Sequence, residues 1–348
     1  MQNGISIYAG LDYDSDDNLS LIETAAEMGF KRLFTSAQIP ETSNAETFLD
    51  DFTDILTTAS INGFEIILDV NAENFSQYDI DGITLRLDDG FNVEQVAEIS
   101  RARKVMLNAS TVTEDFLNDL LGLGANFDNI AALHNFYPHA CTGLDTYFFD
   151  TQNHILHDFG ISVGAFVPSK DGKRRLPLCE GLPTLEDCRN FSTDLSARFL
   201  AALGTDFIII GDGQPTREEL QALAAIQDDE VILHAQLLSN DLTTAEILSN
   251  QFTRRADVAK SVIRAAEGRE ILKKLGGKIP PENLPIERGF GDITVDNDGF
   301  GRYAGEVQIV QDILPADERV NIAAHLLDEE IFLMGYIKPR QKFSFKFV

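Results

Sequence analysis

The stretch Gly82-Ile-Thr-Leu-Arg-Leu-Asp-Asp-Gly-Phe91 decides how this chain is read. Ile83 to Leu87 has the character of a short buried strand, with Arg86 set among its apolar residues. The run ends on Asp88 and Asp89, Gly90 turns the chain, and Asn92 can cap a helix over Val93–Arg101. A strand that finishes in carboxylates before a short turn is where α/β enzymes keep their chemistry. In isolation the same four residues, LDDG, read more readily as a turn, because Asp and Gly satisfy turn geometry for local reasons. The surrounding chain has to choose between the two.

Outward from it the same unit recurs. Strand-like runs precede it at Ile5–Ala9, Arg32–Ser36 and Glu65–Val70 and follow it at Lys104–Ser110, Ile130–Phe136, Ser162–Val167 and Asp206–Gly211. Helical runs alternate with them at Asn18–Met28, Ala45–Ile61, a weak Glu73–Tyr78, Glu114–Leu123, Asp145–Phe159, Thr184–Leu203 and Thr216–Ala225. The strands are apolar on both sides, as strands covered by helices should be. Eight βα units in series predict a closed (β/α)8 TIM barrel. An open doubly wound sheet is the alternative, but no Gly-rich phosphate loop follows the first strand.

The character changes near Asp228. Short strands at Val231–Leu238, Gly291–Val295, Gly305–Val310, Val320–Leu326, Ile331–Tyr336 and Lys342–Val348 lie between turn signals, beside one helical run at Arg255–Ala266. That pattern predicts a small all-β barrel or sandwich. The division expected is a catalytic barrel over 1–228 and a β domain over 229–348.

A net charge of −28 over 348 residues argues against nucleic acid or an anionic membrane as partner. Cys141, Cys179 and Cys188 form no CxxC pair and fit reduced thiols. The N-terminus lacks a signal-peptide pattern and no apolar run could span a bilayer, so a cytoplasmic location is expected. A homo-oligomer is compatible with the sequence.

Polar residues end nearly every predicted strand: Asp12, Ser36, Asp69, Asp88, Asn108 with Ser110, His134 with Asn135 and Tyr137, Ser169 with Lys170, and Asp212. Each alone could be a cap or turn residue. The loop after the seventh strand, Lys170-Asp-Gly-Lys-Arg-Arg175, packs four cations into six residues, suited either to an anionic ligand or to a solvated loop. Glu180 follows in the irregular Cys179-Glu-Gly-Leu-Pro-Thr-Leu-Glu186 segment, and Glu186 fits the first turn of a helix. Asp88 and Glu180, from opposite sides of an eight-stranded ring, offer the two carboxylates that glycoside hydrolysis uses. A metal held by Asp69, Asp88, Asn108 and His134 is the competing use, though their spacing matches no metal motif. His139, His154 and His157 read as surface or packing residues.

Taken together, GISIYAG, GFKRLFTS, GITLRLDDGF, LNAST, HNFYP, EGLPTLE, FIIIGD, IERGFGDITVDN and RYAGEVQI resemble the bacterial 6-phospho-N-acetylmuramidases over nearly the full length. The resemblance implies a TIM barrel followed by a cyclophilin-like β domain. It also implies cytoplasmic hydrolysis of the β-1,4 bond of N-acetylmuramic acid 6-phosphate–N-acetylglucosamine, without a cofactor. Carried over, the family's polar positions are Arg86, Asp88, Asn108, Ser110, His134, Asn135, Glu180, Asp212 and, in the small domain, Glu306. Asp89 and Cys179 stand where aromatic residues are expected. The roles we assign are Glu180 as general acid and Asp88 as nucleophile or base, with Asp69 or Asp212 as second choices. Arg86, Lys170 and Arg175 would hold the phosphate, and Asn108, His134 and Asn135 the hydroxyl and acetamido groups. A non-catalytic sugar-phosphate binder or sensor is the alternative, and prolyl isomerase activity of the small domain a third.

Overall fold

Eight parallel strands close on themselves, β1 pairing with both β2 and β8. They are β1 (Gly4–Ser6), β2 (Arg32–Ser36), β3 (Glu65–Val70), β4 (Thr84–Leu87), β5 (Val105–Asn108), β6 (Ile130–Leu133), β7 (Ser162–Val167) and β8 (Phe207–Ile210). The computed structural model describes residues 1–11, 13–36, 48–73, 75, 80–88, 90–227, 229–282 and 286–348. Asp12, Asp89 and Asp228 therefore lie outside the described residues, as do the start of the helical run from Ala45 and most of Glu73–Tyr78. The chain divides into two units, Met1–Ile226 and Gln227–Val348.

In the first unit the helices are α1 (Ser15–Glu27), α2 (Phe48–Ile61), α3 (Val93–Ala102), α4 (Glu114–Gly122), α5 (Thr146–Asp158), α6 (Thr193–Ala202) and α7 (Arg217–Ala224). Side-chain caps set the starts of three of them: Asn92 with Gln95 forms a capping box on α3, Thr113 caps α4, and Thr216 with Glu219 forms a box on α7. The helix expected from Thr184 begins instead at Thr193, capped by Ser192. Thr184 is otherwise engaged, since its hydroxyl accepts from Phe166 N and donates to Asn135 O, both at 2.9 Å.

The barrel interior is filled by Tyr8, Phe34, Ile67, Met106, Leu133, Phe166, Phe207 and Ile209. Gly164 has a packing reason, because a Cβ there would lie 2.1 Å from the Phe207 ring. Side chains alternate along a strand, so the inward-pointing Ile67 and Met106 are followed two residues on by Asp69 and Asn108, and Asp69 lies level with Arg86 of β4. The polar floor of the barrel mouth continues the inward faces of these strands.

The second unit is a curled seven-stranded sheet in the order β10-β15-β9-β14-β12-β13-β11. Its strands are β9 (Glu230–Leu237), β10 (Phe252–Thr253), β11 (Val262–Arg264), β12 (Asp292–Asp296), β13 (Val307–Val310), β14 (Val320–Leu326) and β15 (Lys342–Phe347). An Arg254–Ala265 bridge joins the β10 and β11 ends, and the aromatic cluster Phe252, Phe343 and Phe345 packs inside. Two short helices, α8 (Leu242–Leu248) and α9 (Gly268–Leu275), interrupt the strands, contrary to expectation.

Two further assignments change. Arg255–Ala266 is not helical: Ile263 is buried between half-exposed neighbours and pairs with Ile309, the alternation of a strand. Ile331–Tyr336 is a 3-10 turn, with consecutive Leu333 and Met334 both buried. Among the described residues no helix is long and apolar enough to cross a membrane.

Candidate active site

Arg86 organises the mouth above β3 to β6. Its side chain, 4% exposed, donates to Asp69 at 2.6 Å and to Asp88 at 3.2 Å. The second terminal nitrogen donates to Leu133 O at 3.3 Å and to Asn135 Oδ1. Asn108 donates to the same Asp88 oxygen at 3.0 Å. Burial raises the Asp69 pKa, and Arg86 beside it opposes the rise. Asp88 differs in being one-third exposed, with its position fixed through one oxygen. A guanidinium therefore occupies the place between the two carboxylates that a metal would need, and the competing metal reading does not fit these residues.

Behind this floor runs a second chain of hydrogen bonds. Asn135 N donates to Ser110 Oγ at 2.9 Å, Ser110 Oγ meets His134 Nδ1 at 3.1 Å, and His134 Nε2 meets Asn153 Oδ1 at 2.9 Å. The chain is self-consistent when Nε2 carries the ring proton and Nδ1 accepts from Ser110. His134 has no exposed surface, and burial pushes its pKa down to about 4. Ser110 and His134 thus support Asn135 from below, without facing the opening.

Across the mouth, the loop between β7 and α6 is held by buried acids. Asp212, fully buried after β8, accepts from Ser169 N and Arg175 N at 2.9 Å and from Leu182 N at 3.3 Å. Burial raises its pKa against these donors. Glu219, the third residue of α7, accepts from Ser169 Oγ at 2.8 Å, Lys170 N at 2.5 Å and Thr193 Oγ1 at 2.6 Å. The backbone of the basic run is pinned to the barrel at Ser169, Lys170, Asp171 and Arg175, and the Lys173 side chain is exposed. Lys170 is exposed and its Nζ turns to Asn190 O at 3.3 Å. The Arg175 guanidinium lies 4.6 Å over the Tyr8 ring and 5.4 Å from the Phe136 ring.

Glu180, half-buried, accepts from Ala140 N at 2.6 Å and so reaches the loop after β6. Arg189 stitches the same two loops, donating to Tyr137 O at 2.9 Å, His139 O at 3.1 Å and Gly181 O at 3.3 Å. Glu186 opens a 3-10 turn but does more than complement a helix start. It takes Arg189 at 2.6 Å and accepts from Cys141 N and Gly143 N, which together hold its pKa down to about 2. Arg189 and Glu219 escaped the sequence reading, since LEDCR carries no motif and Glu219 looks complete as half of a capping box.

Beside Asp88 and Asn108 a cavity of about 320 Å³ opens between the tops of β4 and β5 and helices α3 and α4, walled by Phe91, Val96 and Phe116. Glu306 lies in the second unit, 3.8 Å from Arg255 and 4.0 Å from Arg269.

Two family descriptions account for the chain: "6-phospho-N-acetylmuramidase, N-terminal" matches residues 3–225 and "6-phospho-N-acetylmuramidase, C-terminal" matches 231–346. An uncharacterized Bacillus cereus protein shares the fold at TM-score 0.88 and 28% identity, over 99% of both chains. A conserved Enterococcus faecalis protein of unknown function superposes at TM-score 0.70 and 29% identity, over 100% of this chain and 96% of the other. A search of curated proteins found none that matches. With both units matched in order, this chain belongs to the 6-phospho-N-acetylmuramidase family.

Proposed function

We propose that this protein hydrolyses the β-1,4 bond between N-acetylmuramic acid 6-phosphate and N-acetylglucosamine, in the cytoplasm, with Asp88 and Glu180 as the reacting carboxylates. The observation that carries this is the state of Asp88, fixed through one oxygen by Arg86 and Asn108 yet one-third exposed at the barrel mouth. A carboxylate so oriented can give an electron pair to the anomeric carbon, directly or through a water it deprotonates. Glu180, on the loop after β7, delivers the proton that the departing sugar oxygen needs. The glycosidic C–O bond breaks, the oxygen leaves as a hydroxyl, and water ends on the anomeric carbon. Asn135 meets the sugar, Asn108 holds Asp88, and Asp69 keeps Arg86 in place.

The test is turnover of the phosphorylated disaccharide by Glu180→Gln and Asp88→Asn. Each should fall by roughly 10²- to 10⁴-fold, the usual worth of a positioned acid or base. Turnover by Glu180→Gln within tenfold of wild type removes Glu180 as the acid. Saturable binding by the wild type with no product after long incubation identifies a sugar-phosphate binder instead.

A further inference from the structure

On that reading, we propose that the cavity beside Asp88 takes the N-acyl group of the muramoyl sugar, and that Val112 and Phe116 set which acyl groups are accepted. The cavity, of about 320 Å³, has Asp88 and Asn108 in its wall. The carboxylate that meets the anomeric carbon therefore also borders this space. The amide nitrogen sits on the ring carbon next to the anomeric one, and an acetyl methyl stands four bonds from the reacting centre, each of about 1.3–1.5 Å. The substituent nearest the reaction is thus the one that an adjoining pocket can receive.

The lining selects a neutral acyl group over the other substituents of that sugar. Its walls are apolar, because strand alternation turns Leu87 and Leu107 away from Arg86 and Asn108, into a space they share with Val96 of α3 and Phe116 of α4. Among the described residues that line it there is no Lys, Arg or His, while Asp88 is an acid. The lactyl carboxylate and the 6-phosphate would meet a like charge there, and the uncharged amide would not. Ring hydroxyls would lose water against apolar walls that offer few partners. An acyl oxygen needs only one donor: Thr113 Oγ1, in the lining, accepts from Phe116 N at 3.2 Å and keeps its own proton to give. The volume lies at the lower end of the roughly 300–1,000 Å³ of ligand pockets, which suits one substituent and a ring edge better than a disaccharide. The walls are also fixed before a ligand arrives. Val112 N donates to Asn108 O at 3.1 Å, Val112 O accepts from Gln152 at 2.9 Å, and the Phe91 ring stands edge-on to Phe75 at 5.5 Å. A larger side chain at 112 therefore takes space from the ligand, since the backbone cannot readily give way.

The full-length protein would be assayed on the 6-phosphorylated disaccharide with its muramoyl nitrogen carrying formyl, acetyl, propionyl or butyryl. All four keep the phosphate, the lactyl carboxylate and a neutral amide, so only the acyl chain varies. Wild type should prefer acetyl to formyl in kcat/KM by roughly tenfold, the worth of one methyl in an apolar pocket. Val112→Trp should abolish or invert that preference by filling the cavity. Phe116→Ala should raise the butyryl-to-acetyl ratio by roughly tenfold by enlarging it. A general loss of fold would lower all four substrates alike and move neither ratio. If wild type treats the four alike, or if both variants leave the ratios unchanged, the cavity does not hold the acyl group. If wild type cleaves none of them, the glycosidase reading fails on its own account. The pocket is then judged by calorimetry with the N-formyl and N-acetyl forms of muramic acid 6-phosphate. Wild type must bind the acetyl form more tightly and Val112→Trp must remove the difference, or the proposal falls.

Discussion

Replacing Arg86 by Met should destabilise the barrel chiefly through Asp69. The Arg86 side chain is 4% exposed and Asp69 13%, so the pair is largely buried and its remaining member is mostly shielded from bulk water. Removing one partner of a buried pair costs about 3–5 kcal/mol, because an uncompensated charge is left behind. Asp88, 32% exposed, adds little, since water screens it. For a unit of this size each kcal/mol moves the midpoint by roughly 2–4 °C, so a fall of roughly 6–20 °C is expected. Burial already raises the Asp69 pKa, and loss of the cation raises it further. A raised carboxyl favours the fold while neutral, so that contribution is complete below its unfolded pKa and is lost as pH rises through the folded one. The deficit of the variant is therefore largest at neutral to alkaline pH and shrinks on acidification. Adding Asp69→Asn should recover most of the loss, since no buried charge then remains. Thermal unfolding followed by circular dichroism at pH 5 and pH 8 decides it. A single variant that melts within 2 °C of wild type at pH 8, or a deficit that widens at pH 5, refutes the argument.

Three further outcomes follow from the same packing. His134, pushed down to about 4 by burial, stays neutral in the fold while the unfolded chain takes up its proton near 6.5. Stability should therefore fall by about 3 kcal/mol between pH 6.5 and pH 4, and His134→Gln should flatten that part of the denaturant-measured profile. Arg189→Met removes donors to Tyr137, His139 and Gly181, so limited proteolysis should newly cut near 137–143 and 180–186 while the second unit stays resistant. Gly164→Ala forces a methyl against the Phe207 ring, 2.1 Å from its nearest atom, and overpacking of this kind should lower the barrel's stability by about 1–3 kcal/mol or more in a urea titration.

The barrel was legible because strand periodicity is local. Ile67 and Asp69, like Met106 and Asn108, point to one side because they are two residues apart, and a reader who finds the apolar row has already found its polar end. Asp69, Arg86, Asp88 and Asn108 came out of the sequence for that reason, and the structure joins them in one hydrogen-bonded group. Thr184 and Arg255–Ala266 misled for the opposite reason. Thr184 with Asp187 three residues on has the spacing of a helix cap, yet the hydroxyl was needed between Phe166 and Asn135, which no local pattern records. Val262–Arg264 is a strand of three residues between Ser261 and Ala265, too short to show a period from sequence.

The βα7 loop shows where sequence reading runs out and why. Four cations in six residues were visible at once, but their fate depends on two carboxylates some forty and fifty positions away. Asp212 was readable only as a strand end and Glu219 only as part of a capping box, and both descriptions are true. Each acid is buried by helices and strands that themselves bring the loop's N–H groups within reach, so anchoring arises with the fold and leaves no separate motif. The same reasoning separates local from global charge. A net charge of −28 describes the field far from the protein, which neighbouring ions screen within about 10 Å. Locally the charges alternate instead: the Arg175 guanidinium lies over the Tyr8 ring while the backbone N–H of the same residue donates to the buried Asp212 carboxylate.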